Sequence, residues 1–212
     1  MPITQSGDLY HYRSYLETLL TYVRNAAASH LTNSFWNQER GDMLPCDPST
    51  ADKTAAAKNL DFITRWDKIK QSNEVQLYGR LPSDFCNVPK FLFPGLNLHF
   101  KLTKACSSFY LMNPTADCTT TFKFLDEKLF VKRITANPDI LSAYNTTLRN
   151  EGIARYNLAR VELKTFTIAP GLKSLSIGNL VLGHIPKRNL FTMVKNTYFL
   201  GSMSTNHFNF RN

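Results

Sequence analysis

Arg160 to Val194 reads RVELKTFTIAPGLKSLSIGNLVLGHIPKRNLFTMV. It holds three β-prone runs: Val161 to Ile168, Leu175 to Leu182, and Asn189 to Val194. Pro170-Gly171 separates the first two, and Gly183 with Pro186 separates the last two. Proline and glycine break ladders and set turns, so each run is closed off as a short strand. Val161 and Leu163 share one phase while Phe166 and Ile168 share the other. That change of phase at Lys164-Thr165 predicts a β-bulge, or a strand buried on both faces. No His, Cys or carboxylate cluster sits in the stretch. The reading is a sandwich wall and not an active-site frame.

Working outward, the same signal recurs upstream. Val75 to Leu81 (VQLYGRL) alternates, and Leu96 to Thr103 (LNLHFKLT) has the cleanest period of two in the chain. Ser107 to Met112 (SSFYLM) is expected to pair with it as a hairpin. Thr121 to Ile134 (TFKFLDEKLFVKRI) is a long strand with a bulge near Leu125-Asp126. The tail carries Phe208 and Phe210 in alternation, as the start of a further strand.

Two helices interrupt this pattern. Residues 8 to 24 place Leu9, Tyr12, Leu16, Leu19, Leu20 and Val23 at spacings of three and four, with Asp8 as the cap. That helix is expected to pack on its own domain. Asn137-Pro138-Asp139 starts a second helix: a cap, a proline in the first turn, and an acid that suits the dipole. It runs to about Arg149, with Ile140, Leu141, Tyr144 and Leu148 on one side. Asn37 to Lys58 is a polar loop with a short helical turn at Ala55 to Lys58. Its acids Glu39, Asp42, Asp47 and Asp52 match no calcium loop and read as solvated.

The chain has 212 residues, 43% of them hydrophobic, with 15 Phe and 9 Tyr. That composition excludes disorder and allows a sizeable core. Its net charge of +9 suits an anionic partner. The charges are scattered, however, through Lys53, Lys58, Arg65, Lys101, Lys104, Lys132, Arg133, Arg160, Lys187 and Arg188. Scatter of this kind predicts solvated faces and weak electrostatic attraction, not base readout. Cys46, Cys86, Cys106 and Cys118 have no metal-site spacing, so free thiols in a reducing compartment are expected. Cys106 reads as a small buried residue. No signal-peptide pattern or long apolar run occurs, and the sequon at Asn145 has no role in such a compartment.

Catalytic patterns are missing. His11, His30, His99, His184 and His207 are far apart, and no nucleophile elbow, phosphate loop or H-E-x-x-H accompanies them. A serine with His184, or Cys106 with His99, has no supporting context. Asp126-Glu127 reads as an exposed turn and not a catalytic pair. The expectation is no enzyme, no catalytic, cofactor-binding or metal residue, and no cofactor.

Several segments resemble the capsid proteins of Polinton/Maverick virus-like elements and adintoviruses. They are Tyr12 to Tyr22 (YRSYLETLLTY), Val75 to Phe85 (VQLYGRLPSDF), Phe91 to Met112, Leu129 to Asn137 (LFVKRITAN), Arg160 to Arg188, and HFNF at His207 to Phe210. The resemblance implies a major capsid protein of the double jelly-roll type, here as a truncated copy, since relatives continue beyond both ends. The fold then expected is mainly β, an antiparallel jelly-roll sandwich with short helical insertions. Residues 1–136 would form the first jelly-roll part, with the N-terminal helix and polar loop. Residues 137–212 would form the linking helix and the start of a second. The resemblance further implies homotrimers, contact with other capsid proteins and weakly with packaged DNA, and a place in the virion after assembly in host cytoplasm or nucleus, without secretion. The alternatives are a minor, penton-type single jelly-roll protein and a basic nucleic-acid-binding module.

Overall fold

Asn137 sets a helix start. In the computed structural model, which describes residues 9–37, 45–48, 59–115, 119–150 and 152–210, its side-chain Oδ1 accepts a hydrogen bond from the Asp139 N–H at 3.1 Å. The helices, in chain order, are α1 (Tyr10–Thr21), α2 (Arg24–Ala27), α3 (Leu60–Ile69), α4 (Ser107–Tyr110), α5 (Pro138–Arg149) and α6 (Asn196–Leu200). Single 3-10 turns occupy His30–Ser34 and Lys70–Ser72.

The mainly β, jelly-roll expectation is overturned. Among the described residues there is no strand and no sheet, and 30% are helical. The runs at 75–81, 96–103, 121–134, 161–168, 175–182 and 189–194 contain no helix, but they form no ladder, so the two bulges have no strand to interrupt. The physical reason is that alternation specifies an extended backbone only. A strand also needs a second segment with which to exchange N–H···O=C bonds in series, and among the described residues no run gains more than isolated bonds, such as Tyr78 N–H to the Asn33 carbonyl at 3.0 Å. Ser107 to Met112 departs from its expected hairpin differently: its first four residues close a helical turn, with the Leu111 N–H donating to the Ser107 carbonyl at 3.0 Å.

The chain divides into two compact units. The smaller comprises Pro82–Lys101 and Phe122–Val161. Its internal ties centre on Tyr156, whose hydroxyl accepts from the Phe93 N–H at 3.1 Å and donates to the Phe91 carbonyl at 3.2 Å. Phe93 meets Tyr144 of α5 edge to face. After α5, Gly152 N–H donates to the Thr147 carbonyl at 2.9 Å, and a Cβ at 152 would lie 2.4 Å from that oxygen. Only glycine fits so close an approach. The expected apolar side of α5 is only partly covered: Leu141 and Leu148 are half-buried, while Ile140 and Tyr144 are more than half exposed.

The larger unit takes its described residues from 9–81, 102–121 and 162–210. Its core is small. Among the described residues its buried apolar side chains are Tyr12 on α1 and Phe62 and Ile63 on α3. α3, which the sequence reading above does not anticipate, starts at Asn59. That side chain is fully buried, and its Oδ1 accepts from the Phe62 N–H at 3.1 Å. α1 follows its expected period, but its inward face is Tyr12, Arg13 and Tyr15; Leu19, Leu20 and Val23 are exposed. The Asp8 cap and the turn at Ala55 to Lys58 lie outside the described residues.

Candidate functional site

α1 presents its aromatic side chains to residues distant in sequence. Tyr12 stacks on Phe199 of α6 at 5.8 Å between ring centroids and meets Phe109, Phe208 and Phe210 edge on. Tyr15 stacks on Phe208 at 4.3 Å and leans on Trp36 at 5.0 Å. Phe208 and Phe210 therefore act as ring donors to α1 and not as a strand. The backbone around them turns, with the Asn209 N–H donating to the Asn206 carbonyl.

His207 ties this cluster together. Its ring is 2% exposed, and its two nitrogens face the carbonyl oxygens of Tyr198 and Ser108. α6 and α4 are thereby held on one imidazole. Gly201, at φ +91°, permits the approach: a Cβ there would sit 2.9 Å from Ser108 Oγ and 3.1 Å from His207 Cε1. His11 lies nearby, its ring 4.2 Å from that of Phe109, which in turn packs on His207 at 4.3 Å. Sequence reading treats these two histidines as unconnected. The only hint of their meeting is the aromatic density around each.

The Tyr12 hydroxyl is buried and finds no hydrogen-bond partner among the described residues, and burial pushes its pKa up to about 12. A phenol held so firmly protonated is a poor base at neutral pH. Among the described residues no group of three or more His, Cys, Asp or Glu side chains is placed to hold a metal ion. His184, Asp126 and Glu127 are exposed. Cys106 is exposed and not buried as the sequence suggests, and hydrogen bonding from Ser108 holds its thiol below the usual range. Of the acidic loop only Asp47 is described, and it is exposed.

The dominant feature is apolar surface. Leu77, Leu102, Leu125, Phe130, Leu182 and Phe191 are each more than half exposed, and all belong to segments with strand-like alternation. The end of α1 adds to it, bordering a groove of about 200 Å³ lined by Leu19, Tyr22, Val23, Arg24, Leu31 and Trp36, with Thr18 and Ala27.

Among the described basic side chains Lys101, Lys132, Arg133, Lys187 and Arg188 are exposed, while Arg65 is half-buried and Arg13 is buried. No described helix is long and apolar enough to cross a membrane. No family model, curated protein or solved structure matches the chain.

Proposed function

We propose that this chain is a structural protein that works by assembling with copies of itself, as the building block of a viral shell. The observation that carries this reading is the set of exposed apolar side chains, among them Leu102, Leu125, Phe130, Leu182 and Phe191, each more than half open to solvent. Extensive exposed apolar surface marks contact with a protein partner. A closed homotrimer gives every copy two such contacts. The resemblance to capsid proteins of Polinton elements and adintoviruses supports the same role, that of a subunit of a virion assembled in the host cell. The jelly-roll part of that resemblance does not carry over.

The test is solution mass by light scattering after size exclusion, over a wide range of protein concentration. A discrete oligomer, with a trimer foremost, supports the reading. A well-behaved monomer at every concentration would refute it.

Packaged DNA is a second, weaker partner, favoured by the net charge of +9 and the exposed Lys132-Arg133 and Lys187-Arg188 pairs. Such binding falls steeply with salt, because each neutralised phosphate releases counterions. No retention of DNA in low salt would remove this partner and leave the assembly reading intact.

A further inference from the structure

Residues 124–130 read FLDEKLF. Read in reverse, the apolar positions coincide and the charged ones change sign. Phe124 answers Phe130, Leu125 answers Leu129, Asp126 answers Lys128, and Glu127 lies at the centre. A two-fold contact needs this property, because residue i of one copy must meet j of the other while j meets i.

The conformation suits it. Residues 119–137 form neither helix nor ladder. Lys128 Nζ lies 2.7 Å from Asp126 Oδ2, so these two side chains share a side, as i and i+2 do in extended backbone. Phe122 and Phe124 also meet, at 4.9 Å between centroids. Leu125, Leu129 and Phe130 are 64%, 58% and 73% exposed, and both charges of the ion pair reach solvent.

We infer that a second copy of this chain pairs antiparallel with the 124–130 segment across a two-fold axis at Glu127. The inference rests on the assembly reading above and names one contact within it. Phe124 then packs on the partner's Phe130, Leu125 on the partner's Leu129, and Asp126 faces the partner's Lys128, each interaction occurring twice. Opposed Cβ atoms in such a pair lie about 4.5–5.5 Å apart, within reach of ion pairing and apolar contact. A two-stranded ribbon is marginal by itself, so it forms as one contact among others in the assembly.

Two charge variants of the full chain test it. Asp126→Lys makes every central pair repulsive between like copies, and so does Lys128→Asp. Each alone is expected to weaken self-association by about tenfold, read as the concentration at which light scattering shows half-assembly. Mixing the two restores it. The introduced lysine of the first variant then faces the introduced aspartate of the second, while the first variant's own Lys128 faces the second's own Asp126. The ion pair within one chain is broken in both variants, so it cannot account for rescue on mixing. Glu127→Gln relieves the like charges on the axis and is expected to strengthen association a few-fold. Variants that assemble like wild type, or weakened variants that mixing does not rescue, overturn the two-fold contact while the assembly reading stands. A wild-type chain that never assembles removes both.

Discussion

Replacing Tyr12 with phenylalanine is expected to stabilise the protein. The ring of Tyr12 is enclosed by Phe109, Phe199, Phe208 and Phe210, and the residue is 4% exposed. Its hydroxyl lies inside that enclosure with no partner among the described residues. Burying an unpaired hydroxyl costs about 1–3 kcal/mol, whereas the oxygen contributes only a few dispersion contacts. Tyr12→Phe keeps the ring and removes the cost, so it gains about 1 kcal/mol. For a chain of this length that raises Tm by roughly 2–4 °C. Tyr12→Ala instead loses the ring itself and costs about 3–5 kcal/mol. The same hydroxyl governs the alkaline limb. Its folded pKa, about 12, lies above the ordinary tyrosine value of 10.0, so the folded phenol keeps a proton that the unfolded chain releases. The stabilisation is fully present below about pH 10 and is lost as pH rises toward 12. Tyr12→Phe removes that part of the loss, on the order of 1–2 kcal/mol. Urea unfolding of wild type and variant from about pH 8 to 12, at one protein concentration because association adds apparent stability, measures both effects. A Tyr12→Phe protein less stable by about 1 kcal/mol or more would mean that the hydroxyl has a partner. An alkaline limb unchanged by the substitution would refute the desolvation account.

Gly201→Ala forces a Cβ against Ser108 Oγ and His207 Cε1 at positive φ, and is expected to cost about 1–3 kcal/mol, seen as a fall in Tm. His207→Ala leaves the Tyr198 and Ser108 carbonyls without their shared ring; amide exchange at α4 and α6 should accelerate well beyond that at α5. Asn137→Ala removes the α5 cap at a cost of about 1 kcal/mol, while Asn59→Ala costs more, roughly 2 kcal/mol, because that cap is fully buried. Equal losses at the two asparagines in urea unfolding would show that burial does not add to capping here.

Two helices, α1 and α5, were legible from local signals, whereas α3 was missed although its cap bond from Asn59 also spans only three residues. Asn137-Pro138-Asp139 marks a start because a cap bond spans only two or three residues, and the bond forms. The three- and four-residue spacing of α1 likewise marks a helix, although Tyr12 and Tyr15, and not the leucines beyond them, supply its inward face. Phe208 and Phe210 mislead for the opposite reason. Their alternation is consistent with a strand, yet what fixes them is the meeting with Tyr12 and Tyr15 at the far end of the chain. Nothing in the local pattern of either segment encodes that meeting. The site was legible only as a composition, in apolar alternation along 121–134 and 161–194. Whether those side chains are covered depends on partners that alternation does not name.

The sequence by itself determined α5 and most of α1, because a helix closes its hydrogen bonds within four residues and the cap and spacing that mark it are local; it did not mark α3 or α6, and it read Ser107–Tyr110 as extended where the backbone coils. Only the tertiary structure decided that the extended runs find no ladder among the described residues, that His207 binds α4 to α6, and that so much apolar surface stays exposed. Each of these depends on contacts between residues far apart in sequence, where the choice of partner is set by packing in three dimensions and not by the order of side chains along any one segment.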